Sequence, residues 1–196
     1  MLKLIVGLGN PGNSYKHTRH NVGTWYIFAL LNKFHKKLTK NKKFFGYTCQ
    51  LKINTTNNIY IFISNMYMNI CGEAIKKISS FYKIFPNEIL IAHDDMNLFP
   101  GNIKLKFGGS DYGHNGIKNI IHSLENKKNF YRLRIGIGKP KKNKTTEFVL
   151  GKPLEKEKKL IHHAINQAIQ CTNILIIQNN INKTMHQLNK KNIKMI

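Results

Sequence analysis

Acidic side chains are scarce in this chain: nine Asp and Glu stand against 32 Lys and Arg, and none precedes Glu73. Chemistry that needs a carboxylate must draw on that short set. Cysteine is sparse too. Cys49, Cys71 and Cys171 are odd in number, widely spaced and never in C-x-x-C, which argues against a disulfide framework or a zinc site and suits a reducing compartment. No apolar run is long enough to span a bilayer. The opening MLKLIVGLGN lacks the basic start, long apolar stretch and small-residue cleavage site of a signal peptide. The expectation is a cytoplasmic protein with no membrane association.

What is present in excess is positive charge, +23 over 196 residues. Such a chain suits a polyanion, because each neutralised phosphate releases a condensed counterion. Lys, Asn and Ile are abundant throughout, however, as a biased coding composition would also produce, so charge alone identifies no partner. The length fits one domain, residues 1–196, with enough chain to bury a core unaided.

KLIVGL reads as a buried strand. A turn-rich loop, GNPGNSYKHTRHN, leads to a helix with an apolar stripe through Trp25, Phe28, Leu31, Phe34 and Leu38, N-capped by Asn21. FFGYTCQLKI and IYIFIS flank NTTNN as a hairpin. A helix over Cys71–Tyr82 follows, then a buried strand at EILIAHDD, a strand at NIKLKF, the loop GGSDYGHNG, a helix at IKNIIHSL and a strand at FYRLRIGIG. KPKKNKTTEFVLGKP reads as a basic, mobile connection. From Leu154 the pattern is helical, broken at QNNIN. Strands interleaved with helices predict an α/β fold, a single domain with a twisted, mixed, largely parallel sheet flanked by helices.

Gly7, Gly9 and Gly12 spell G-x-G-x-x-G after a strand, but Pro11 interrupts the loop, no helix opens at Gly12, and no acid lies about 20 residues on to hold a ribose. A dinucleotide site is disfavoured. Sites in open α/β sheets form at the carboxyl ends of strands, where GLGNPG, the acids of HDD and the loop bearing Asn69 would converge. A loop histidine (His20), a strand-end acid (Asp94 or Asp95) and several asparagines suit acid–base hydrolysis. Taken alone, His20 reads more readily as a surface loop histidine. Ser110 lacks a G-x-S-x-G elbow. His17 and His20, in H-T-R-H, lack a zincin's glutamate and spacing. No metal and no cofactor is expected.

KLIVGLGNPG, Y-x-x-TRHNVG, FFGY, N-x-YMNICG, HDDMNL, GHNGIK, FYRLRIGIGKP and FVLGKP occur in this order over almost the whole chain. Together they resemble the bacterial peptidyl-tRNA hydrolase family. The resemblance implies a monomeric α/β enzyme that cleaves peptidyl-tRNA without a metal and recycles tRNA from aborted translation. It implies that His20 is the proton acceptor, held in its basic form by Asp94, and that Asn10 distinguishes blocked from free aminoacyl ends. Asn69 and Asn115 match substrate-binding amides, and Tyr15 and Tyr67 match aromatic positions beside the tRNA 3′ end. Lys104, Lys106 and Arg134 sit on strands that could clamp a phosphate, and the match favours Lys106 and Arg134. His114 is expected to orient its loop, and His93 to face away from Asp94 on a regular strand. The alternative is a non-catalytic RNA-binding protein on the same fold. The departure from the family pattern lies in GGSDYGHNG, where an acid and a tyrosine enter a variable stretch.

Overall fold

The apolar run after Lys3 forms β1, Leu4–Gly7, in the computed structural model, with all four residues buried. The structure describes residues 1–53, 58–140, 144–178 and 180–190. After β1 come α1 (Val22–Lys33), β2 (Thr39–Asn41), β3 (Gly46–Lys52) and β4 (Asn58–Ser64). They are followed by α2 (Cys71–Phe81), β5 (Ile89–Asp95), β6 (Ile103–Phe107), α3 (Asn115–Ser123) and β7 (Tyr131–Gly136). Three helices close the described chain: α4 (Thr145–Leu150), α5 (Glu155–Gln178) and α6 (Ile181–Lys190).

The strands make one seven-stranded sheet in the order β2-β3-β4-β1-β5-β7-β6. Its centre is parallel: β1 pairs with β4 and β5, and β5 with β7. The flanks are antiparallel. Alternation along the central strands sends residues to two cores. Ile5, Leu90 and Ala92 pack with α1 and α5 on one face; Leu4, Val6, Ile89 and Ile91 pack with α2 and α3 on the other. Strand β1 is flanked on both sides by strands reached through crossovers on opposite faces, so a crevice opens at its carboxyl end.

The expected mixed, largely parallel sheet flanked by helices is what forms. Three local readings need correction. The buried face of α1 is Val22, Tyr26, Ile27, Leu30 and Leu31, while Phe28 points to solvent and the helix stops before Leu38. A close backbone approach sets that rotation. A Cβ on Gly23 would lie 2.3 Å from the Ala92 carbonyl and 2.6 Å from that of Leu8. The helix therefore turns its glycine, not Phe28, to the sheet. Second, TTEFVL is no loose connection but α4, tied down by Arg19 as described below. Third, β2 carried no strand signal; it adds three residues to the edge by pairing with β3. The turn at 54–57 and the lysines at 141 and 142 lie outside the described residues.

Gly23→Ala is expected to overpack the contact of α1 with β1 and β5 and to cost about 1–3 kcal/mol. Urea unfolding should show a lower midpoint with an unchanged m-value; an unchanged midpoint would show that the close approach is not constraining.

Candidate active site

Strand β5 carries Asp94 to its end and leaves it 2% exposed. A carboxylate so buried needs hydrogen-bond donors, since an uncompensated charge there costs several kcal/mol. Two imidazoles supply them. His20, on a one-turn 3₁₀ helix immediately before α1, donates from Nδ1 to Asp94 Oδ1 at 2.8 Å. His114 donates from Nε2 to the same oxygen at 2.9 Å.

The two rings are held in definite tautomers. His114 is the N-cap of α3, and its Nδ1 accepts the Ile117 amide at 3.2 Å. Its hydrogen therefore sits on Nε2, facing Asp94. For His20, the proton on Nδ1 leaves Nε2 as the basic nitrogen, on the ring edge away from the carboxylate. Burial works against the charged form of His20, but the charge and hydrogen bond of Asp94 outweigh it, so its pKa lies above the ordinary histidine value. Burial likewise pushes the Asp94 carboxyl up, yet His114 and His20 together hold it well below the usual carboxylate range.

Asn10 is fixed from two directions. Its backbone N–H donates to Asn21 Oδ1 at 2.8 Å, and its carbonyl accepts from Asn21 Nδ2 at 2.9 Å. Its side-chain oxygen accepts the Met68 amide at 2.8 Å. That bond assigns the carboxamide and leaves Nδ2 as the donor Asn10 can offer. Asn21 stands at the N-cap position of α1, as the sequence suggested, but makes no side-chain cap bond there. Its side chain is spent on Asn10 instead.

These groups open into a cleft of about 320 Å³, lined among others by Asn10, His20, Asp94, Tyr67, Asn69 and Asn115. Tyr67 is exposed and meets Tyr15 edge to face, with ring centroids 6.2 Å apart. Asn115 is the first residue of α3, and Asn69 lies on the turn that enters α2. Lys106 and Arg134 stand on neighbouring strands, beside Tyr112 and Asp95 of the cleft lining. Arg134 Nε pairs with Asp95 Oδ2, so one edge of its guanidinium is already engaged. Asp95 thus faces Arg134 while Asp94 faces the histidines, which separates the two acids the spacing left open. His93 obeys the alternation, on the face of Ile89 and Ile91, but still meets the site: its ring packs against His114 at 4.9 Å.

Three contributors were not foreseen in these roles. His114 had only its GHNG context as a signal, and its bond to Asp94 needs α3 folded over the end of β5. Asn21 carried a capping signal alone. Arg19 is 7% exposed beside His20. Its guanidinium donates to Glu157 Oε2 at 2.7 Å and to the Lys152 carbonyl at 2.9 Å, and lies 4.2 Å above the Phe148 ring. It fastens the His20 turn to α4, whose Thr145, Thr146, Val149 and Leu150 wall the cleft.

His20, Asp94 and His114 each bring one ligand-capable atom within 4.8 Å of the others. That grouping is not a preformed metal site. The nitrogens facing Asp94 carry protons, and His114 could free its lone pair only by giving up the cap of α3.

Two consequences are measurable. An NMR titration should place the His20 midpoint above about 6.5, and Asp94→Asn should lower it, because the charge that sustains the imidazolium is removed. A midpoint unmoved by that change would deny the coupling. The raised pKa of His20 adds stability in full below the unfolded value, lost as pH rises through the folded one; the depressed Asp94 adds stability above its unfolded value, lost as pH falls.

Comparison with known proteins agrees with the geometry. The family model described as Peptidyl-tRNA hydrolase matches residues 4–195. The peptidyl-tRNA hydrolase of Baumannia cicadellinicola subsp. Homalodisca coagulata is 50% identical over 188 residues, 95% of this chain and 96% of that one. That of Proteus mirabilis is 49% identical over 176 residues, 89% of this chain and 90% of that one. The crystal structure of peptidyl-tRNA hydrolase from Acinetobacter baumannii superposes with a TM-score of 0.91 at 38% identity, covering 97% of this chain and 96% of that one. With a histidine–aspartate pair in a cleft at the sheet's carboxyl end and a match along nearly its whole length, the chain belongs to the peptidyl-tRNA hydrolase family.

Proposed function

We propose that this protein hydrolyses the ester joining a peptide to tRNA, with His20 as the general base. The observation that carries the reading is the 2.8 Å bond from His20 Nδ1 to the buried Asp94, which leaves Nε2 basic inside the cleft. Water bound at Nε2 loses its proton as its oxygen attacks the ester carbonyl, and the ribose oxygen departs. Asp94 stabilises the imidazolium as it forms. Asn10 Nδ2 and Asn69 position the water or donate to the developing oxyanion, a contribution worth about 3–4 kcal/mol where one such donor is well placed. Asn115 holds the peptide backbone. An ester is a reactive acyl group, so positioning and one base suffice without a metal or cofactor.

Tyr15 and Tyr67 offer aromatic surface to the terminal adenine, and Lys106 with the unengaged edge of Arg134 offers charge to a phosphate. The +23 charge adds diffuse attraction for tRNA. We place all 196 residues in one domain acting as a cytoplasmic monomer that returns tRNA from aborted translation. Among the described residues no helix is long and apolar enough to cross a membrane. A role in RNA binding alone would have no use for a buried carboxylate that fixes an imidazole tautomer, and it is not favoured.

His20→Ala should lower turnover of N-acetyl-aminoacyl-tRNA by about 10²–10⁴-fold, the scale of one lost acid–base group, with tRNA affinity within about twofold of wild type. Near-normal turnover would overturn the assignment. In the wild type kcat/KM should rise with pH through a midpoint above about 6.5, as the base must be unprotonated.

A further inference from the structure

We propose that Tyr112 is an RNA-contacting residue that turns the Lys106–Arg134 edge of the cleft into a nucleotide subsite, with the phosphate on the cations and a base on the phenol ring. The inference rests on the tRNA reading above and adds a contact which that reading does not use.

Four observations converge on this side chain. Tyr112 lines the same cleft as His20 and Asp94, yet the residue is 53% exposed. The ring is not loose: Lys106 Nζ donates to its hydroxyl at 3.3 Å and lies 5.7 Å from the ring centroid, and the Arg134 guanidinium lies 5.3 Å from it. An aromatic face is thus held against two cations from neighbouring antiparallel strands, β6 and β7. The supporting loop is braced from below. Buried Arg132 donates to the Gly109 carbonyl at 2.6 Å and also to that of Ser110, while Asp111 Oδ1 accepts the Gly113 amide at 2.8 Å. Lastly, Tyr112 adopts φ +52°, left-handed backbone that glycine enters at far lower cost. A bulky aromatic kept at a strained position in a cleft points to use of the ring.

Cations beside an exposed ring are what a nucleotide requires. Phosphate oxygens take the Lys and Arg donors, and the base stacks on an aromatic whose rotation is already restricted. Asp111, the loop's one acid, is engaged with Gly113 and does not complete an ion pair with either cation among the described residues. Stacking is tolerant of base identity, so the subsite adds affinity for tRNA without selecting among sequences.

The test compares Tyr112→Gly, Tyr112→Phe and Lys106→Ala with the wild type on N-acetyl-aminoacyl-tRNA over a range of salt concentrations. Glycine removes the ring while relieving the backbone, so loss of folding does not confuse the result; a thermal melt at or above the wild-type midpoint checks this. Tyr112→Gly should raise KM about 5- to 150-fold, the range for one lost base–aromatic stack, with kcat altered less than twofold. Tyr112→Phe should stay within about threefold, because the stacking face survives. Since no charge is lost, Tyr112→Gly should leave the slope of log KM against log salt unchanged, whereas Lys106→Ala should reduce it by about one phosphate's share. A KM for Tyr112→Gly equal to wild type, or lower, overturns the proposal; the lower value would mean that the ring obstructs the cleft. Failure of the wild type to release the N-acetyl-amino acid would strike instead at the functional reading itself.

Discussion

Asp94 has to be ionised while almost wholly removed from water, and the surrounding structure answers that demand. Two histidines donate to one of its oxygens, at 2.8 and 2.9 Å. They come from distant parts of the chain: His20 from the turn before α1, His114 from the N-cap of α3. A single carboxylate therefore gathers the end of β5, the loop after β1 and the start of α3 into one site. Removing it would leave two polar rings without their acceptor and undo the alignment of the base. The geometry of the site and its local packing are here the same set of hydrogen bonds.

A second tier of contacts makes that arrangement rigid. The Asn21 carboxamide grips the Asn10 backbone on both sides, and Asn10 in turn accepts the Met68 amide. The loop following β1 is thereby locked to the turn before α2. Arg19 does the corresponding work on the other side by holding α4 against the His20 turn. Buried polar groups of this kind are stable because nearly every donor has an acceptor. Each contact is short-ranged in space but spans from 11 to 138 residues in sequence.

The positive charge of the chain plays a different and coarser part. Screened surface lysines attract a polyanion over about 8–10 Å at ordinary salt and carry no information about where it docks. In the proposed function, docking rests on the few cations with fixed geometry, Lys106 and Arg134, and on the aromatic surfaces of Tyr15, Tyr67 and Tyr112. Arg134 shows the compromise involved: its pairing with Asp95 orients the guanidinium but engages one of its edges.

Much of this was legible from residue order alone. Continuous apolar runs marked β1 and β5, because burial on both faces demands them, while alternation marked β7 and a hairpin pattern marked β4. The scarcity of acids narrowed the partner of His20 to Asp94 or Asp95, and the ordered motifs named the family. Sequence periodicity misjudged the rotation of α1, since a glycine-mediated backbone approach, not bulk, selects its buried face. It passed over α4, which is short and held by Arg19 more than by its own stripe. It also left His114 in a loop. The tautomers of both histidines, the separate duties of Asp94 and Asp95, and the clamp of Asn21 on Asn10 were decided only by tertiary structure. Apart from the local cap that His114 makes with Ile117, each depends on atoms brought within 3 Å by the folding of segments separated in sequence, and the short-range pattern of a sequence carries no measure of that distance.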